Sequence, residues 1–401
     1  MNIQAPIKHT AAEEDLFQLC EAARGAVSGS KDASEQRDAA IEQLRAQGLP
    51  TRRIESWHYT DLRAAMKHLS APTDSRVPAP LLAGSKVLSA DTSVAGVTIS
   101  PWSADKAQFA PVESDDAIGQ INTALATCGS IAAVKAGQTV DVPLSIENRG
   151  AHARNVVSLG EGASATIVES VCGKDGFSSD VTLISLAEGA KATYVSTCEK
   201  GPDAVQLGQL RVVLGKDAEL DVVIFNAGGK LIRREVVVLV EGEGSNLDIK
   251  GVNLIGGDSH IDVTTVLSHT VPHTVSEQLF RNISTGKGQG VFQGQIKVHQ
   301  IAQKTDAQMA CNTLLLSDDA GFSAKPELEI FADDVICAHG ATVAELDEDH
   351  LFYLRARGIT ERTARALLVE AFVDEAIEEI DNEPLVEALE TRIGAWLEAN
   401  G

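Results

Sequence analysis

The segment Cys337-Ala-His339 places a thiol and an imidazole two positions apart. Side chains two apart on a strand share a face. The run from 327 to 342 alternates in strand fashion as far as Gly340, which would set Cys337 beside His339, with Val335 and Asp333 further along the same face. A thiolate next to an imidazole suits iron, zinc or an iron–sulfur cluster. Two ligands do not close a site, so a complete one would draw on groups elsewhere in the chain or on another chain. The plainer alternative is a buried thiol and a hydrogen-bonded histidine at a strand end.

Other chemistry-bearing residues are less promising. His269 and His273 are four apart, but Pro272 between them opposes the helix that would pair them on a metal. His260 and His299 carry no neighbouring ligand pattern and read as structural. Arg52, Arg53, Trp57 and Tyr59 form a dense cluster, read as a domain junction in which aromatics pack and arginines snorkel rather than as a recognition patch. The sequence contains no GxxxxGK[ST], no complete GxGxxG, no GxSxG and no HExxH. These absences argue against the common hydrolase, ATPase and dehydrogenase designs and leave room for an unfamiliar enzyme.

Three kinds of element would have to position such residues. Residues 1–128 read as a mostly helical domain, with helices near 11–24, 31–47 and 116–127, a short strand near 97–100, and a proline-bearing linker at 71–80. Residues 129–340 alternate apolar and polar in short runs, as half-buried strands do. Four similar stretches begin at Glu161, Glu188, Lys216 and Glu243; each is a turn followed by an alternating strand. A regular repeat of this length points to stacked coils, each covering the apolar face of the one before. An evenly spaced meander or sandwich is the competing architecture. Residues 341–401 are helical again, with Asp347, Thr360 and Asn382 as caps.

Composition narrows the partners. A formal net charge of −23 repels nucleic acid and anionic membranes. From Val343 onward 15 acidic residues face 5 arginines, which fits a solvated face and, secondarily, a docking surface for a basic partner. Six dispersed cysteines without a CxxC pair read as reduced thiols in the cytoplasm. No apolar run approaches the ~18 residues needed to span a bilayer.

Two segments carry a family resemblance. Pro50-Thr-Arg-Arg-Ile-Glu-Ser-Trp-His-Tyr-Thr-Asp-Leu62 and Lys325-Pro-Glu-Leu-Glu-Ile-Phe-Ala-Asp-Asp-Val-Ile-Cys-Ala-His-Gly-Ala-Thr342, continuing to Phe352-Tyr-Leu-Arg-Ala-Arg-Gly358, resemble signatures of the SufB/SufD family of iron–sulfur cluster assembly proteins. Trp57-x-Tyr59-Thr60 and Gly340, where SufB typically carries Glu, lean to the SufD side. The resemblance implies a right-handed parallel β-helix between two helical domains. It implies a non-catalytic scaffold, not an enzyme, that pairs with a SufB homologue through edge strands of the β-helix, and that docks the SufC ATPase, where the ATP chemistry lies, through the C-terminal helices of 343–401. His339 matches a family histidine implicated in cluster assembly at that subunit interface, and Cys337 matches its neighbour. The cofactor implied is a transient iron–sulfur cluster, with reduced flavin suggested for the assembled complex and homodimerisation left open for the chain alone.

Two further readings compete. A β-solenoid acting on polysaccharide would use carboxylates such as Asp221, Asp248 and Asp262 on one sheet, though aromatics at only 4% leave few platforms for sugar rings. A SufB-like subunit would itself accept sulfur on one of its cysteines.

Overall fold

The computed structural model describes residues 9–26, 31–72, 80–103, 116–148, 151–171, 173, 175–378 and 380–400. Cys172 and most of the 71–80 linker lie outside them. Before the solenoid come helices α1 (Ala11–Ala26), α2 (Lys31–Gln47), α3 (Leu62–Ala65) and α4 (Ala117–Leu125), and strands β1 (Lys86–Val87) and β2 (Val97–Pro101). The repetitive region then supplies β3 (Ser130–Val134), β4 (Thr139–Asn148), β5 (His152–Leu159), β6 (Ser164–Val171), β7 (Phe177–Leu186), β8 (Lys191–Lys200), β9 (Val205–Leu214) and β10 (Glu219–Gly228). It continues through β11 (Leu231–Val240), β12 (Asn246–Ile255), β13 (His260–His269), β14 (Val275–Ser284), β15 (Gln289–Val298), β16 (Asp306–Leu315), β17 (Gly321–Ile330) and β18 (Ile336–Glu345). Helices α5 (Glu348–Ala356), α6 (Glu361–Ile377) and α7 (Glu383–Asn400) close the chain.

Even-numbered strands stack in one sheet, β4-β6-β8 through β18, and odd-numbered strands from β3 to β17 stack in the other. Every pairing from β3 onward is parallel; only β2 joins antiparallel. This is a parallel β-solenoid, and the repeat explains its regularity. Gly162, Gly189, Asp217 and Gly244 occupy the same turn position, and all four have positive φ. Glycine adopts that backbone without a steric penalty, and Asp is among the few side chains that tolerate it. The turns also stack: the Gly162 amide donates to the Glu188 carbonyl, Gly189 to Lys216 and Asp217 to Glu243, at 2.8–2.9 Å. Each coil therefore sets the height of the next, and the strands that follow fall into unbroken register.

Inward positions alternate with outward ones along each strand. Val222, Ile249, Phe280 and Phe292 belong to the apolar interior, where the two phenylalanine rings meet at 4.7 Å. The outer faces are covered by helices. Leu16, Ile41, Trp57, Ile118 and Ile121 pack with Phe177, Val181, Leu207 and Leu231 of the odd-numbered sheet. Val369, Val373, Leu385, Leu389 and Ile393 pack with Val223, Phe225, Val252 and Ile283 of the even-numbered sheet. The expected caps form: Asp347 accepts from the amides of Asp349 and His350, and Thr360 from that of Thr363. Asn382 accepts from Leu385.

The alternating run 327–340 is not one strand. Its first residues end β17 in one sheet, and Cys337 and His339 belong to β18 in the other. Val335 and Asp333 lie in the turn between them, so neither extends the ligand face. Alternation alone does not reveal a corner, because a solenoid turn can interrupt the strand while apolar residues continue. β18 also runs past Gly340 to Glu345.

Candidate functional site

At its start the solenoid is extended by β1 and β2, and at its far end it stops at β17 and β18. β18 pairs on one side with β16 and is the last strand of its sheet; β17 is the last of the other. The register places Cys337 on Ala307, His339 on Met309 and Ala341 on Cys311. Those three partners are buried in the solenoid interior. Cys337 and His339 thus occupy the inward row of the terminal coil, with no further coil above them. Cys337 is half-buried and packs on the core, whereas His339 is exposed. Burial pushes the Cys337 thiol up, opposed by the Ala307 backbone amide it accepts from. Gly340 beside them has open space where a side chain would stand.

The last two strands and the turn between them expose apolar side chains near this pair. Ile330, Phe331, Ile336 and Val343 are all exposed, and both terminal strands carry unpaired backbone groups along one edge. Such an edge is a template for strand addition. Chemically, one soft sulfur and one imidazole nitrogen on a common face could hold iron or part of a cluster. Among the described residues no group of three or more His, Cys, Asp and Glu side chains could hold a metal.

The remaining candidates are accounted for by packing. His269 is buried, its ring nitrogens 2.8 Å from Thr274 Oγ1 and 3.0 Å from Ser276 Oγ, while His273 sits in the following turn. His260 lies 2.8 Å from Thr60 Oγ1. Trp57 is buried under the Arg233 guanidinium, 3.8 Å from its ring centroid, so this part of the aromatic cluster is a junction. The carboxylates of the polysaccharide reading do not converge. Asp221 and Asp248 are neighbours on β10 and β12, but Asp262 lies on β13 in the other sheet. There it is buried and engaged by Arg233 at 2.5 Å and by Thr60. Similar local sequence places the three on one sheet; the crossover between sheets separates Asp262 from the other two.

Sequence reasoning missed the polar interior. Glu169 is fully buried and accepts from Asn148 at 2.6 Å, Thr182 at 2.8 Å and the Tyr194 hydroxyl. Burial, reinforced by the Asp180 charge, raises its carboxyl pKa. Arg234 is paired with Asp180 at 2.6 Å, both buried. Asn226, Asn253 and Asn282 form a ladder with amide contacts of 2.8 and 2.7 Å. Asparagine recurring near the end of three even-numbered strands was the available signal.

A parallel β-solenoid flanked by two helical modules, with a thiol–imidazole pair on its open terminal coil, defines a class of elongated β-helical protein with an uncapped edge. The model for the SUF system FeS cluster assembly SufBD core domain matches residues 143–372. The chain belongs to this SufBD family of the iron–sulfur cluster assembly machinery. It is similar to the iron-sulfur cluster assembly protein SufD of Escherichia coli, with 31% identity over 91% of this chain and 93% of that protein. It is also similar to a SufBD family protein of Synechocystis, with 33% identity over 51% of this chain and 45% of the relative. The SufB protein of Bacillus subtilis is 26% identical over 68% of this chain and 61% of its own length.

Proposed function

We propose that this chain is a non-catalytic scaffold subunit on which iron–sulfur clusters are assembled. In this reading it pairs with a SufB homologue through the edges of β17 and β18, and His339 with Cys337 holds iron or a nascent cluster against ligands from that partner. The observation that carries the reading is the placement of both side chains on one face of the terminal strand, whose outer edge pairs with no described strand. A two-ligand set is poor by itself and suited to completion across an interface. The partner's strand would also satisfy backbone groups that the edge leaves open.

The C-terminal helices would dock the SufC ATPase, which would supply the ATP chemistry for which this chain carries no motif. Phe352 and Tyr353 on α5 are exposed, and a helix surface bearing two exposed aromatics favours a partner. The acidic balance of α5–α7 favours a basic one. The complex would work in the cytoplasm: no described helix is long and apolar enough to cross a membrane, and thiol ligation of iron requires reduced cysteines. Reduced flavin would bind to the assembled complex.

The decisive experiment is His339→Ala in the reconstituted complex, with cluster formation followed anaerobically by absorbance and iron content. Loss of cluster with intact subunit pairing is expected. Normal cluster formation overturns the ligand role. Phe352→Glu should abolish recovery of the ATPase while leaving β18 pairing intact.

A further inference from the structure

The segment Thr51–Leu62 is a strap across the outer face of the odd-numbered sheet. It begins firmly: Trp57 stacks on Arg233 of β11, and Thr60 bonds Asp262 and His260 of β13. Moving back along the chain, the Ser56 carbonyl accepts from Arg233 Nη2 at 2.7 Å and from Gln293 Nε2 of β15 at 3.2 Å. One residue earlier, Glu55 pairs with Lys325 of β17. The register places Lys325 beside Gln293. The strap therefore crosses from the middle of the sheet to its last strand, and its tip stands at the margin.

Anchoring the N-terminal domain does not explain that reach, because the buried contacts end at β15. At β17 the contact is an ion pair in which Glu55 is 81% exposed, and the preceding Ile54 is exposed too. Lys325 is shared with Glu327 at 3.2 Å, so two carboxylates meet one ammonium there, and Glu329 stands further along the same row. Neighbouring strands lie about 4.8 Å apart, so a strand added to β17 sets its outward side chains within reach of these carboxylates. We propose that Ile54 and Glu55, with Glu327, are part of the subunit interface. They would receive a basic or hydrogen-bond-donating side chain from the outward row of the partner strand that adds to β17. The inference rests on the pairing reading above and extends it to the N-terminal domain, which would then touch both subunits.

The test measures affinity for the SufB-type partner in the full-length chain, for wild type, Glu55→Lys, and the exchange Glu55→Lys with Lys325→Glu. Reversal of a charge facing the partner should weaken pairing about tenfold and alter its salt dependence. The exchange remakes the intrachain ion pair, so it should restore the thermal stability of the isolated subunit but not the partner affinity. Unchanged affinity for Glu55→Lys, or full recovery of affinity by the exchange, overturns the inference and leaves a purely intrachain strap. A wild-type chain that does not pair overturns the pairing reading itself, and this inference with it.

Discussion

The middle coils, β6 to β14, and the terminal coil, β17 with β18, share one repeat and one register, yet they hold opposite kinds of residue in equivalent positions. The inward row Ile167–Tyr194–Val222–Ile249 is buried throughout, and its continuation through Gln278 and Met309 ends at exposed His339. What changes is coverage from above. A position whose neighbour coil is present serves cohesion; the same position on the last coil is free to serve chemistry. The difference teaches that a stacked fold leaves side chains and backbone open at the end of the stack, where the repeat stops being its own partner.

That contrast is most sharply broken in the buried middle. Arg234 and Asp180 form an ion pair inside the solenoid at 2.6 Å. Gly208 leaves the space the guanidinium fills, since a Cβ there would stand 2.3 Å from Arg234 Nη1. Arg234→Met would strand a buried carboxylate and should cost about 3–5 kcal/mol in urea unfolding. A smaller loss would mean that water reaches the interior and that the middle is less sealed than its packing implies.

Acid should act next, and again on the middle. Burial lowers the pKa of His152 and of His269 to about 4. A depressed histidine pKa means the unfolded chain binds the proton first. Stability is therefore complete above the unfolded value near 6.5 and is lost as pH falls toward 4. Between pH 7 and pH 5 each histidine should account for roughly 2 kcal/mol. His269→Gln should remove its share of the slope in a pH series of thermal unfolding, and a slope unchanged by that substitution would mean that the ring is not shielded in the folded chain.

A third effect separates ladder from edge. Asn253 both accepts from Asn226 and donates to Asn282. Asn253→Leu orphans one donor and one acceptor and should cost about 1–3 kcal/mol by chemical denaturation. A neutral result would show that neighbouring rows re-pair.

Much of this arrangement was legible beforehand, for identifiable reasons. The repeat was visible because one turn position, held by Gly162, Gly189, Asp217 and Gly244, requires left-handed backbone, and glycine or aspartate marks it each time. The three C-terminal caps were legible because capping is local chemistry. The polar interior was not, since Glu169, Asp180 and Arg234 stand in alternating strands like any surface residue and only the closure of two sheets turns them inward. Asp262 was misassigned to its sheet for the same reason: strand alternation fixes which neighbours share a face, but not which sheet the face belongs to.

The smallest expected effect on stability bears on the site itself. His339 is exposed on an edge strand and fills no void, so His339→Ala should shift unfolding by no more than about 0.5 kcal/mol. Cys337 is half-buried on the core, so Cys337→Ser should cost somewhat more while remaining below the Asn253 variant. If both variants fold as wild type and only cluster formation fails, the terminal coil is devoted to chemistry as the middle coils are to cohesion. If His339→Ala instead destabilises the isolated chain by several kcal/mol, the imidazole is a structural cap on the solenoid, and loss of cluster in that variant would no longer identify a ligand.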